Sequence, residues 1–125
     1  MKITEKEILE LKKMIVLLNK KPNCAIIVEG KRDSAALKKI GVSAKILEFH
    51  RYHGLMKFVD AVSHYKSLVI LFDRDRKGRY LTAKIIEQLE RRTKIDLSFK
   101  RKLVSITKGK IRFIEDLASY EYFLN

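Results

Sequence analysis

Short apolar runs that break off into acids and glycines alternate along this chain with stretches whose apolar residues recur every three or four positions. Thr4 followed by Glu7 is a capping box that opens a helix. Ile8, Leu11, Ile15 and Leu18 then form one stripe, and the helix ends at Lys20, Lys21, Pro22 and Asn23. Residues 24–28 (CAIIV) are continuous and β-branched, as in a strand buried on both faces, and Glu29 and Gly30 end it. Asp33 as N-cap predicts a short helix over 34–40, closed by Gly41. A second strand is expected within 42–49, centred on 44–49, and then a loop at 50–54 (HRYHG). Met56, Val59, Ala61 and Val62 predict a helix over 55–65. Residues 68–72 (LVILF) are the third strand, and Leu81, Ile85, Ile86 and Leu89 line a helix over 78–93. Residues 96–107 are less regular, with 103–106 expected as a fourth, shorter strand. Ile114, Leu117, Ala118 and Leu124 predict a closing helix over 114–124.

Strands that each lead into a helix through a short loop imply an α/β fold. The expectation is a mostly parallel sheet of about four strands, with right-handed crossovers and helices on both faces. At 125 residues and 46% apolar content, one domain with one core is expected. Within it, residues 1–22 are read as an N-terminal helix packing on a domain formed by 23–125. The single cysteine, Cys24, cannot form an internal disulfide, and its place in an apolar run predicts a buried, inert thiol.

Charge changes the picture more than composition does. Lys and Arg number 28 against 15 acids, a net charge of +13, which favours a polyanionic partner. No apolar stretch approaches the length of a membrane span, and acids in the first helical turns argue against a signal peptide. The expectation is a cytoplasmic protein with no membrane association.

The candidate chemistry lies at two strand ends. AIIVEGKRD places Glu29 and Gly30 after the first strand, and LVILFDRDRKGR places Asp73 and Asp75 after the third. Ligands of open α/β sheets gather beyond the carboxyl ends of the strands. If the first and third strands are neighbours, three carboxylates converge there. Two aspartates at i and i+2 can present oxygens to a hard cation such as Mg²⁺, which also bridges to phosphate. Lys31, Arg32, Arg74, Arg76, Lys77 and Arg79 surround these acids, and such cations hold phosphate oxygens. Gly30 and Gly78 leave room for close backbone approach.

VEGKRD paired with LFDRDRKG resembles the two signature motifs of the Toprim domain, which occurs in topoisomerases, bacterial-type primases, certain nucleases and recombination proteins. The nearest likeness is to small stand-alone Toprim proteins and to the ribonuclease that matures ribosomal RNA. The resemblance runs from Cys24 to the C-terminal region. It implies the three-layer, Rossmann-like Toprim fold. It also implies Glu29 as general acid/base and a metal ligand, Asp73 and Asp75 as metal ligands, and Gly30 as the motif glycine. Asp33 and Gly78 match supporting positions, with Mg²⁺, or alternatively Mn²⁺, as the cofactor. The separate domains that topoisomerases and primases use, and the RNA-binding region of the maturing ribonuclease, have no counterpart in these residues.

Simpler readings stand beside these. Glu29 could be a strand-end acid paired with a lysine, and Asp73 and Asp75 could pair with Arg74 and Arg76 in a solvated turn. An N-cap role explains Asp33 without metal. His50 and His53, without cysteine, are poor zinc ligands and are read as loop residues facing RNA or solvent. Gly54 resembles a loop glycine of several Toprim relatives and fits a helix-start glycine equally well; Glu115 and Asp116 suit the positive end of the last helix, with a supporting metal role as the lesser alternative. Three basic runs follow: Arg91, Arg92 and Lys94; Lys100, Arg101 and Lys102; Lys108, Lys110 and Arg112. At least some are expected on phosphates. Phe49, Tyr52, Phe99 and Phe113 could stack on unpaired bases, although core packing is the commoner fate of Phe.

The function expected from these residues is Mg²⁺-dependent hydrolysis of nucleic-acid phosphodiesters, with RNA favoured over DNA as partner. The alternative is a Toprim nucleic-acid-binding module that is non-catalytic or depends on a partner chain. A protein partner or a homodimer fits either.

Overall fold

The structure is a computed structural model that describes residues 2–124. It opens with α1 (Glu5–Lys20), capped by Thr4, whose hydroxyl accepts from the Glu7 N–H at 3.2 Å. The capping box is only half formed, because the Glu7 carboxylate turns inward to Lys110 and Tyr120. Four strands follow: β1 (Cys24–Val28), β2 (Ile46–Glu48), β3 (Ser67–Ile70) and β4 (Lys94–Asp96). They form one sheet in the order β2-β1-β3-β4, and every neighbouring pair is parallel. The first and third strands are therefore adjacent, with Ile26 opposite Val69 and Ile27 opposite Ile70.

The sheet is covered on both faces. On β1 and β3, alternate residues point to opposite sides. Ile26, Val28, Val69 and Leu71 meet α1 through Leu11, Met14, Ile15 and Leu18. The same face receives α2 (Lys31–Lys39) and α5 (Ser98–Ile106), through Leu37, Leu103 and Ile106. Ala25, Ile27, Leu68 and Ile70 face α3 (Leu55–Val62) and α4 (Arg76–Leu89), through Phe58, Val59, Val62, Ile85 and Leu89. This is the three-layer α/β fold that the alternation of elements predicts.

Several expectations need correction. The fourth strand is Lys94–Asp96, and residues 103–106 belong to α5. Phe99, Leu103 and Ile106 are buried at helical spacing, so the apolar residues of this segment follow a helical period. The segment 114–124 is a 3₁₀ turn, Ile114–Tyr120, followed by one short helix, α6 (Glu121–Leu124). Asp33 is not the N-cap of α2. Gly30 holds that position, and Asp33 lies one turn in, accepting from the Gly30 N–H at 3.2 Å. Helix α4 starts at Arg76, ahead of the expected residue 78, because Asp75 caps it, accepting from the Gly78 N–H at 2.7 Å. Cys24 is half-buried, since it sits at the entrance of β1 with Ala25–Val28 inside.

Candidate functional site

Parallel strands put all their carboxyl ends on one edge, and β1 and β3 are its central pair. Glu29 follows β1, and Asp73 lies just past β3, after the buried Leu71 and Phe72. Each acid is held in a different way. Asp73 Oδ1 accepts from the Ile114 N–H at 2.7 Å, so the start of the C-terminal 3₁₀ turn sets its direction. Asp75 Oδ1 is engaged by the Gly78 N–H at the start of α4. One oxygen of each aspartate is thus tied to backbone, which orients the carboxylate. Asp33 is buried in the first turn of α2.

Glu29 is the acid without a settled partner. Its Oε1 is buried with no hydrogen-bond partner among the described residues, and its Oε2 lies 3.9 Å from Lys77 Nζ. Burial pushes its pKa up, and the negative charges of Asp73, Asp75 and Asp33 push further, against the opposing charge of Lys77. Asp33 is likewise raised, first by burial and then by Asp73, with Glu115 contributing. The carboxylates therefore stand close enough to repel one another. Among the described residues, no three Asp, Glu, His or Cys side chains make a ready-made ligand set by themselves.

Gly78 is required on steric grounds. A Cβ there would lie 2.0 Å from the Asp73 carbonyl oxygen, so any side chain would push α4 away from the strand end. Gly30 differs, because its Cβ would meet only His50 Cδ2 at an ordinary 3.7 Å. Gly54 is the helix-start glycine of α3, with φ 122°.

The surrounding cations divide. Lys31, Arg32, Lys77 and His50 border a hollow of about 400 Å³ that also contains Glu29, Gly30, Asp33 and Glu115. Arg74 and Arg79 lie on the other flank with Asp73 and Gly78. Arg76 is exposed in the first turn of α4. Lys100 is the residue that sequence reasoning did not single out. Grouped with Arg101 and Lys102 as one basic run, it is instead half-buried in the first turn of α5 and faces the carboxylates. Burial lowers its pKa, while Asp73, Glu29 and Asp75 pull it back up and Arg74 opposes them. The signal was present in its neighbours Phe99, Leu103 and Ile106, which share one helix face.

Other candidates move away from phosphate. Lys110 is directed inward to Glu7, so it leaves the basic run to which its sequence position assigned it. Phe49 and Tyr52 pack on Phe58, at ring-centroid distances of 5.1 and 5.3 Å, and Phe99 is buried. Of the four aromatics, Phe113 remains exposed, with Arg112 over its ring at 5.6 Å. His50 bonds Glu48 Oε1 at 3.3 Å, as does Arg51 at 2.9 Å.

A family model for the Toprim domain matches residues 24–114, and the chain belongs to that family. Among its relatives, a UPF0292 protein of Thermococcus sibiricus is 41% identical over 96 residues, 76% of this chain and 75% of that one. A UPF0292 protein of Pyrococcus horikoshii is 44% identical over 96 residues, covering 76% and 72%. A solved structure of a protein from Aquifex aeolicus aligns with a TM-score of 0.68 and 28% identity, over 85% of this chain and 96% of that one. Toprim domains are nucleic-acid-related and typically bind divalent metal ions such as Mg²⁺. Among the described residues, no helix is long and apolar enough to cross a membrane.

Proposed function

We propose that this protein hydrolyses nucleic-acid phosphodiester bonds with Mg²⁺ or Mn²⁺, acting on RNA in preference to DNA. The observation that carries the reading is Glu29 Oε1, buried and unbonded among the described residues, at a strand end where Asp73 and Asp75 also face. A buried polar atom left without a partner is costly, and a cation among mutually repelling carboxylates would relieve both problems. The donor set is all oxygen, which suits Mg²⁺, and its incompleteness suits a cation that keeps waters and phosphate oxygens as its other ligands. Glu29, Asp73 and Asp75 would hold it, and when bound it would supply Lewis-acid polarisation of the phosphate.

The chain's own residues would do the rest. Ile114 and Gly78 hold the two aspartates in place through their N–H groups. Lys77 and Lys100 would bring positive charge to the phosphate as negative charge builds on it. Lys31 and Arg32, on the adjoining hollow, would hold the neighbouring backbone. Glu29, tuned upward by burial, would take or return the proton at its carboxylate oxygen. Asp33 would support this role by holding the Gly30 N–H and hence the turn that carries Glu29.

The second reading is a nucleic-acid-binding Toprim module that is non-catalytic or waits for a partner chain. Lys77 beside Glu29 supports it, since a resident ammonium already neutralises part of the acidic charge. The two readings separate in one assay. Structured RNA, single-stranded DNA and duplex DNA are incubated with Mg²⁺ or Mn²⁺ and with wild type or Glu29→Gln. Hydrolysis expects cleavage by wild type alone, with RNA cut fastest. Equal cleavage by Glu29→Gln would remove Glu29 from its role, and salt-sensitive binding with no cleavage under either metal would leave the binding module.

A further inference from the structure

On the flank of the carboxylates away from Glu29, α4 and α5 diverge and leave a cleft of about 420 Å³. This lies within the range of roughly 300–1,000 Å³ typical of small-molecule sites. Ile70, Ala83, Ile86 and Leu97 make it predominantly apolar. Four cations, Arg74, Arg79, Lys100 and Arg101, also line it, together with Asp73 and Gly78. The proposed chemistry uses Asp73 and Lys100 but leaves the apolar lining without a role.

We propose that this cleft receives one unpaired nucleobase of the substrate, with that nucleotide's phosphate held by these cations beside Asp73. An apolar slot takes the faces of a flat base, and the guanidinium and ammonium groups take the phosphate. Arg74 and Arg79 each commit one Nη1 to a carbonyl, of Gly109 at 3.4 Å and of Arg74 at 3.2 Å. A guanidinium has five N–H donors, so both retain donors for phosphate oxygens. Charge complementarity therefore selects a nucleotide over an apolar peptide side chain.

Because Asp73 borders both the cleft and the carboxylate group, a nucleotide seated here presents its phosphate to the proposed catalytic edge. The strand would then run over the carboxylates toward Lys31, Arg32 and Lys77 in the second hollow. A base stacked within a duplex has both faces covered. It reaches the cleft only by flipping out, which costs a few kcal/mol. The cleft thus makes the protein selective for single strands, loops and bulges, without reading sequence.

This inference rests on the nucleic-acid reading of the site, and its test is a binding measurement that does not depend on turnover. Fluorescence anisotropy is recorded with Glu29→Gln and Mg²⁺, using a labelled ten-nucleotide single strand, the same strand with abasic residues throughout, and the matching duplex. The intact single strand should bind at least roughly tenfold more tightly than the abasic strand or the duplex. Adding Ala83→Trp, at an exposed position on the wall of the cleft, should remove that advantage and leave abasic binding unchanged. Equal affinity for intact and abasic strands would overturn the proposal, as would an advantage that survives Ala83→Trp. Cleavage by wild type is scored separately, so loss of hydrolysis with base-dependent binding retained counts against the nuclease reading alone.

Discussion

Tyr120 donates its phenolic hydrogen to Glu7 Oε2 at 2.9 Å, between buried side chains 113 positions apart. Lys110 Nζ reaches the other carboxylate oxygen at 2.5 Å and also the Lys2 carbonyl. These bonds tie α1 to the C-terminal 3₁₀ turn. The same turn begins at Ile114, whose N–H orients Asp73. The N-terminal helix and the candidate site therefore share one structural support.

Tyr120→Phe should lower stability by about 1–3 kcal/mol, since it leaves a buried carboxylate oxygen without its donor. Burial alone would raise the Glu7 pKa, but the bonds from Lys110 and Tyr120 and the Lys110 charge bring it below its ordinary value of 4.5. A depressed native pKa gives stability that is complete above the unfolded value and lost as pH falls through the native one. The stability gap between wild type and Tyr120→Phe should therefore be full at pH 7 and shrink in the acid range below about 4.5. Urea melts at several pH values measure it, and a gap independent of pH would contradict the linkage.

Glu29 and Asp33 have the opposite sign. Their raised values mean that the native state binds protons more tightly than the unfolded chain, so ionising them costs stability as pH rises through the acid range. A divalent cation should remove that cost at neutral pH. Mg²⁺ at ten times its dissociation constant should add about 1.4 kcal/mol, or roughly 4–8 °C in Tm. Glu29→Gln should raise the metal-free Tm and reduce the Mg²⁺ increment. An unchanged increment in calorimetry would place the cation elsewhere.

Gly78→Ala should be the more damaging of two glycine substitutions. Its Cβ collides with the Asp73 carbonyl, and overpacking of this kind costs about 1–3 kcal/mol. It should also displace Asp73 and so weaken Mg²⁺ binding. Gly30→Ala meets only an ordinary contact and should cost within about 1 kcal/mol. Thermal melts with and without Mg²⁺ compare the two, and equal losses would show that the close approach at Gly78 is not restrictive.

Lys31→Ala combined with Arg32→Ala should weaken nucleic-acid binding without altering the fold, since both side chains are exposed in the first turn of α2. Each phosphate contact on a single strand adds about 0.7 to the slope of log affinity against log salt. The double variant should therefore flatten that slope by roughly 1.4. A slope equal to that of wild type would assign these cations to solvent.

The layer structure was legible in the chain because each strand is short, apolar and followed by a helix-period pattern. Those are local properties, and β1, β3, α1 and α4 all lie close to where the pattern placed them. Residues 103–106 read as a strand when taken alone, because Val104 and Ile106 are β-branched. Burial of Phe99, Leu103 and Ile106 against the sheet decides for a helix. Lys100 reads as one member of a basic run, and its place in the first turn of α5 sets it near the carboxylates.

At the site, the sequence alone determined which acids stand at strand ends, because an apolar run that stops at Glu29 or Asp73 must emerge at the sheet edge. It could not determine that β1 and β3 are neighbours, since strand order depends on crossovers rather than on local pattern. The tertiary structure decided that adjacency, the Ile114 N–H on Asp73, the contact that only glycine permits at residue 78, and the inward turn of Glu7 and Lys110. Each of these joins residues far apart in the chain, and such contacts form only when the packed layers bring them together.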